Sequence, residues 1–139
     1  MYGALDLSTS ALTAYRTQLD VVAGNVAMRE SYHLENGEQT PYRRRVALFA
    51  PGDPSRGPDA PGVHVAKIVE DSAPFGLRWD PAHVYAIKDG PEKGYVRTSN
   101  VDYHTEMVNA MTAARAYEAN VTVIEMTKSM ASSTLQLLA

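Results

Sequence analysis

The chain has 139 residues, a net charge of −3 and no cysteine. That length allows one compact domain, or a small one with extended arms, and the missing cysteine excludes disulfides and thiolate metal sites. The weak net charge offers no field for a polyanionic partner, and no run of about 18 apolar residues is present to span a membrane as a helix. The start, Met1–Leu7, lacks the basic residues and apolar run of a cleaved secretory signal.

The first element expected is a helix from about Leu5 to Ala27. Leu5, Ser8, Leu12, Tyr15, Leu19, Val22 and Val26 recur in steps of three and four, and all but Ser8 are apolar or aromatic. The middle changes character. Tyr42–Phe49 reads as a strand, ended by a loop over Pro51–Gly62 that is too rich in Pro and Gly for regular structure. Val63–Glu70 alternates and is β-branched, a second strand. Leu77–Trp79 and Gly94–Arg97 are short strand candidates on either side of a turn region, so the centre is expected to form a small antiparallel sheet module. The last element is a long helix, with Asp102 or Asn100 as its N-cap. Tyr103, Met107, Ala110, Ala114, Tyr117, Val121, Ile124, Lys128, Ala131, Leu135 and Leu138 step by four and three, Lys128 being the misfit. At 1.5 Å per residue such a helix of roughly 35 residues is about 50 Å long, more than the shorter N-terminal helix can cover.

Charge is distributed unevenly. All eight prolines lie between Pro41 and Pro91, and 22 of the 29 charged residues lie between Arg29 and Glu106. The terminal helices carry few of the Lys and Glu with which a solvated helix face is normally furnished. Away from the heptad positions they hold Ser10, Thr13, Ala14, Thr17, Gln18, Gly24 and Asn25 at one end, and Ala113, Asn120, Thr127, Ser132 and Ser133 at the other. The two helices are expected to pair as a coiled coil and to be covered further by other protein. Asn25 and Asn120 are candidates for a buried, register-fixing amide.

Little else points to chemistry. His33, His64, His83 and His104 form no metal-ligand spacing, and neither a phosphate loop nor a nucleophile elbow is present. Arg43, Arg44 and Arg45 lack a surrounding basic field, which fits a solvated strand edge or a salt bridge between subunits better than nucleic acid. Glu70, Asp71, Glu30, Glu35 and Glu38 read as solvated carboxylates. No catalytic, cofactor-binding or metal site is expected, and neither a small-molecule substrate nor an enzyme.

The run Met107–Val121, preceded by Gly94-Tyr95-Val96 and Asn100-Val101-Asp102, resembles the C-terminal signature of bacterial flagellar axial proteins, most closely the proximal rod proteins of the FlgC type. Leu19–Ala27 resembles the N-terminal signature of rod and hook proteins. Tyr42-Arg43-Arg44, Gly62–Val65, Ile68–Asp71 and Asp80–His83 follow the same pattern in order. Family members usually repeat an Asn shortly after the position of Asn25, where this chain has Met28 and Arg29, and they commonly carry a Phe near Leu5 and Leu7.

The resemblance implies a non-enzymatic structural subunit of the flagellar basal-body rod, polymerising through its terminal helices into part of the drive shaft that transmits torque. It implies residence in the periplasmic rod, reached through the flagellar type III export apparatus without a cleaved signal. The implied partners are copies of itself, other rod proteins, and basal-body ring and rod-adaptor proteins. Another rod position, a secretion-system axial subunit and a soluble coiled-coil adaptor are the alternatives. The fold class expected is mainly α with a small β module of short antiparallel strands. Residues 1–28 form an N-terminal helix and 102–139 a C-terminal helix of one terminal domain that lines the inner tube, with 29–101 a loop and β-rich middle. Subunit packing is assigned to Leu5, Leu12, Leu19, Val22, Asn25, Val26, Met107, Tyr117, Asn120, Val121, Ile124 and Leu135.

Overall fold

The computed structural model describes residues 2–35, 38–52 and 60–138. Most of the expected Pro- and Gly-rich loop, residues 53–59, lies outside them. Two helices, α1 (Tyr2–Met28) and α2 (Tyr103–Leu138), flank in sequence the short strands β1 (Tyr32–Glu35), β2 (Glu38–Pro41), β3 (Arg45–Pro51), β4 (Val63–Glu70), β5 (Gly76–Trp79) and β6 (Tyr95–Thr98). The protein is therefore mainly helical with a small β part.

The strands pair as three separate antiparallel ribbons, β1–β2, β3–β4 and β5–β6, rather than as the single small sheet expected from sequence. In β3–β4 the register runs from Arg45 opposite Glu70 to Pro51 opposite Val63, with a shift between Leu48 and Phe49. β3 starts at Arg45, not at Tyr42, because the backbone of the preceding residues is engaged elsewhere. The Arg44 N–H donates to Asn100 Oδ1 and the Asp71 N–H to the Arg44 carbonyl, each at 2.8 Å. The β1–β2 ribbon was not expected at all. In β5–β6, Trp79 opposes Tyr95 with ring centroids 5.0 Å apart, and its indole lies over Gly94. Gly94 has φ of +83°, and a Cβ there would come within 2.7 Å of the Trp79 ring, so both backbone and space require glycine.

Asp102, not Asn100, caps α2. Its Oδ2 accepts the Thr105 N–H at 3.0 Å and the Thr105 hydroxyl, which satisfies one orphan donor of the first turn. These bonds, the hydroxyl's first, hold the Asp102 carboxyl below the usual range.

The helices pack on each other, and the β3–β4 ribbon packs on α1. The Tyr15 ring of α1 meets the Phe49 ring of β3 at a tilt of 57°, with centroids 5.5 Å apart, and Ser10 Oγ accepts the Val63 N–H of β4 at 3.1 Å. The end of α1 meets the start of α2 through Asn25 and Glu106, so the pair runs antiparallel. The covered stripe is made of small and polar residues: Ser8, Ala11, Ala14, Val22 and Asn25 on α1, Glu106 and Ala113 on α2. Ala14 and Ala113 were expected on outer faces. Tyr103 and Met107, expected in the seam, are exposed. Small residues let helix backbones approach closely, and they leave no imprint on a pattern built from large apolar side chains.

The register also sets where the pair ends. Running back from Asn25, α1 reaches Tyr2 beside about residue 129 of α2, so roughly the last nine residues of α2 project beyond it. Residues 132–137 are all exposed.

Candidate functional site

Two features stand out: a buried polar joint where the helices meet the middle of the chain, and an uncovered apolar face along α2.

The joint is centred on Asn25 and Glu106, both fully buried. Asn25 uses its whole hydrogen-bonding capacity. Its Nδ2 donates to the Arg45 carbonyl at 2.8 Å and to Glu106 Oε2 at 2.9 Å; its Oδ1 accepts the Arg45 N–H at 2.9 Å and the Tyr42 hydroxyl at 3.1 Å. Glu106 Oε1 takes the Arg44 Nε–H at 2.8 Å and the Asn109 amide at 3.3 Å. Arg44 NH1 reaches Asp71 Oδ2 at 3.1 Å. Neighbouring Arg43 donates to the Asp71 and Ala73 carbonyls and lies over the Phe75 ring at 4.3 Å. Asn100 ties the same loop with its Nδ2, at 3.3 Å to the Asp71 carbonyl and 3.2 Å to that of Ala73. Among the described residues no buried side-chain nitrogen or oxygen lacks a partner.

Electrostatics follow from these contacts. The Ala73 N–H, then the Arg44 guanidinium, hold the Asp71 carboxyl below its ordinary range. Burial opposes the charge on Arg44, but the hydrogen bonds and charges of Glu106 and Asp71 outweigh it and raise its pKa. Burial also pushes the Tyr42 hydroxyl up. The arginine run, read from sequence as a solvated edge or an inter-subunit bridge, thus supplies an intramolecular ion pair. Asp71, read as solvated, is one of its acceptors.

Of the positions assigned to packing, Val22 and Asn25 are buried. Leu5, Leu12, Leu19, Val26, Tyr117, Asn120, Val121 and Ile124 are half-buried, and Met107 and Leu135 are exposed. The Asn120 amide donates to the Ala116 carbonyl of its own helix at 2.8 Å. Glu106 was missed, and Arg44 was noted without its role. The signal available was the only carboxylate in the first turn of α2, in a helix otherwise poor in charge.

The uncovered face of α2 carries Val108, Met111, Val123, Met126, Met130 and Leu137; Leu135, on the side that packs on α1 further back, is exposed where α2 runs past α1. The Thr hydroxyls beside that face do not face outward for partners. Thr112, Thr122, Thr127 and Thr134 each donate to the carbonyl four residues back, which turns polar side chains into surfaces that can be covered without loss of a hydrogen bond.

The histidines are dispersed. His64 Nδ1–H donates to the Gly52 carbonyl at 2.9 Å, and His83 lies among Tyr32 and Tyr85 with centroids 6.1 and 5.5 Å away. Among the described residues no cluster of three His, Asp or Glu could hold a metal ion, and no helix is long and apolar enough to cross a membrane.

Residues 92–137, covering β6, the cap and nearly all of α2, match the family model described as flagellar basal body rod FlgEFG protein C-terminal. Over nearly the full length the chain is similar to curated relatives. It is 39% identical to the flagellar basal-body rod protein FlgC of Borreliella burgdorferi, covering 99% of this chain and 97% of that protein. It is 38% identical to FlgC of Bacillus subtilis, covering 98% and 97%. It is 40% identical to FlgC of Yersinia enterocolitica, covering 95% and 93%. With identity of this order over 95% or more of its length, the chain belongs to the FlgC family of flagellar basal-body rod proteins.

Proposed function

We propose that this chain is a structural subunit of the proximal part of the flagellar rod and polymerises through its terminal helices. The observation that carries the reading is the uncovered face of α2, where apolar side chains and self-satisfied threonines run the length of the helix and past the end of α1. A helix of this kind has too few charges to be a stable solvated surface. The side chains of that uncovered face, together with the exposed heptad positions Met107 and Leu135, are then the ones that pair, in coiled-coil fashion, with helices of neighbouring subunits. Residues 1–28 and 102–139 form the inner-tube part and residues 29–101 pack further out. The neighbours are copies of this chain, other rod proteins and the ring and rod-adaptor components. The subunit acts in the periplasm after passage through the flagellar export apparatus without a cleaved signal, and it transmits torque rather than catalysing a reaction.

The test uses positions whose side chains contribute little inside the chain. Met126→Asp and Leu135→Asp, at residues 62% and 68% exposed, are expected to leave the thermal midpoint of the purified chain within about 2 °C of native, since surface changes of this kind fall within ~0.5 kcal/mol. In cells lacking the native subunit they should stop motility at rod assembly with the chain still expressed. Normal swimming of both variants overturns the reading. Val121 and Ile124 are poorer sites for this test, because both are partly covered within the chain.

A further inference from the structure

The region that joins the two helices holds a charge that neither helix can neutralise. Within the helix pair, fully buried Glu106 receives only neutral amides, from Asn25 at 2.9 Å and Asn109 at 3.3 Å. Its counter-ion, Arg44, comes from the segment between β2 and β3. Asn25 has the same dependence, for three of its four bonds go to Tyr42 and Arg45.

We propose that Arg44 makes closure of α1 on α2 conditional on docking of the middle of the chain: residues 42–45 must be seated before the terminal helices can pair at their junction. This order-of-folding lock rests on the chain's own contacts and not on the rod reading.

The physical reason is an asymmetry of buried ion pairs. A complete pair adds little over an apolar pair of equal volume, whereas a buried charge stripped of its partner costs heavily. Helices closed without Arg44 would hold the Glu106 carboxylate against two carboxamides. Such states are suppressed, relative to helices closed around an apolar joint, by roughly 100- to 1,000-fold. Arg44 is in turn seated from the opposite side. Asp71 takes its NH1 at 3.1 Å and donates its own N–H to the Arg44 carbonyl at 2.8 Å, and Asn100 accepts the Arg44 N–H at 2.8 Å. Asp71 follows directly on β4, and Arg45 pairs with Glu70 as the first rung of β3–β4. The seat therefore exists only once that ribbon has formed. An apolar joint would stabilise the pair without coupling it to anything; the charge supplies the coupling.

Hydrogen exchange of the full-length chain in dilute solution tests this, read at Val22–Met28 and Glu106–Ala113. Arg44→Met is expected to lower protection in both segments by about 100-fold or more. Adding Glu106→Gln to that variant should restore both to within about tenfold of native, because a carboxamide needs no counter-ion. Native-like protection in Arg44→Met overturns the lock. So does a double variant as unprotected as Arg44→Met alone, which also covers the case in which the single variant simply fails to fold. No assembly partner is present, so the outcome is independent of whether the chain builds a rod.

Discussion

At the scale of single residues, the joint shows how one amide can decide the geometry of a helix end. Asn25 accepts from and donates to the backbone of Arg45, which copies the hydrogen-bond pattern of a neighbouring strand. The end of α1 is thereby fixed to the first rung of β3. Asn25→Leu leaves the Arg45 backbone and a Glu106 oxygen unserved in a buried site, and is expected to cost about 3 kcal/mol. Tyr42→Phe removes one of two donors to Oδ1 and should cost about 1 kcal/mol, read as a shift in the chemical denaturation midpoint at unchanged slope. Equal costs for the two would mean that the bonds of Asn25 to Arg45 and Glu106 add nothing to stability. The carboxylates add a pH dependence. Asp71 and Asp102 are both held below their ordinary pKa, Asp71 first by the Ala73 N–H and Asp102 first by the Thr105 hydroxyl. A depressed folded-state pKa gives stability that is present above the unfolded value of about 3.9 and lost as pH falls through the folded value. The denaturation midpoint should therefore hold from pH 7 to about 5 and fall below about 4. Asp71→Asn should flatten part of that fall.

Among the elements, what could be read from sequence divides along physical lines. β4 announces itself through alternating β-branched residues, and both helices through apolar recurrence over many turns, a signal that accumulates with length. The β1–β2 ribbon was not legible because both strands are four residues long and carry charge; Tyr32–Glu35 alternates over too short a span to stand out, and Glu38–Pro41 has no apolar alternation. The seam was read in part: Ser8 and Val22 stood in the heptad count and are buried, but the buried Ala11, Ala14 and Ala113 were passed over, and Tyr103 and Met107 were counted in their place. The joint was hidden for another reason: a Glu in the first turn of a helix is expected from the helix dipole, and nothing local distinguishes a solvated Glu from one buried opposite an arginine 62 residues away. Asn25 was legible as a buried amide because the surrounding spacing put it at a helix end rich in small residues, although its partners were not. The seam itself can be tested. Ala113 is fully covered and α2 packs on α1, so Ala113→Leu overfills a close helix contact and should destabilise by about 1–3 kcal/mol. Met111→Leu, two residues away on the exposed side, should be neutral in the same thermal melt. A neutral Ala113→Leu would mean that the helices can part there without loss.

For the whole molecule, joint and seam together imply a gradient of order along the helix pair. At one end the helices are fastened to each other and to the middle by Asn25, Glu106 and Arg44. At the other end α2 runs on past α1, with Leu135 and Leu137 exposed and no charged residue after Lys128. An unpaired helical stretch of about nine residues is marginal in water, since nucleation is costly and few hydrogen bonds repay it. In the dilute chain, amides of residues 130–138 should therefore exchange fast, near the rate of an open peptide, while Val22–Met28 and Glu106–Ala113 stay protected. Assembly should reverse the contrast. If neighbouring subunits cover the projecting end, protection of residues 130–138 rises on incorporation into a rod, and the junction, already closed, changes little. Exchange measured on the purified chain and on isolated basal bodies reads both halves of this prediction. Uniform protection of α2 in the dilute chain would mean that the helix needs no neighbour. Fast exchange at residues 130–138 in the assembled rod would mean that the neighbours lie elsewhere.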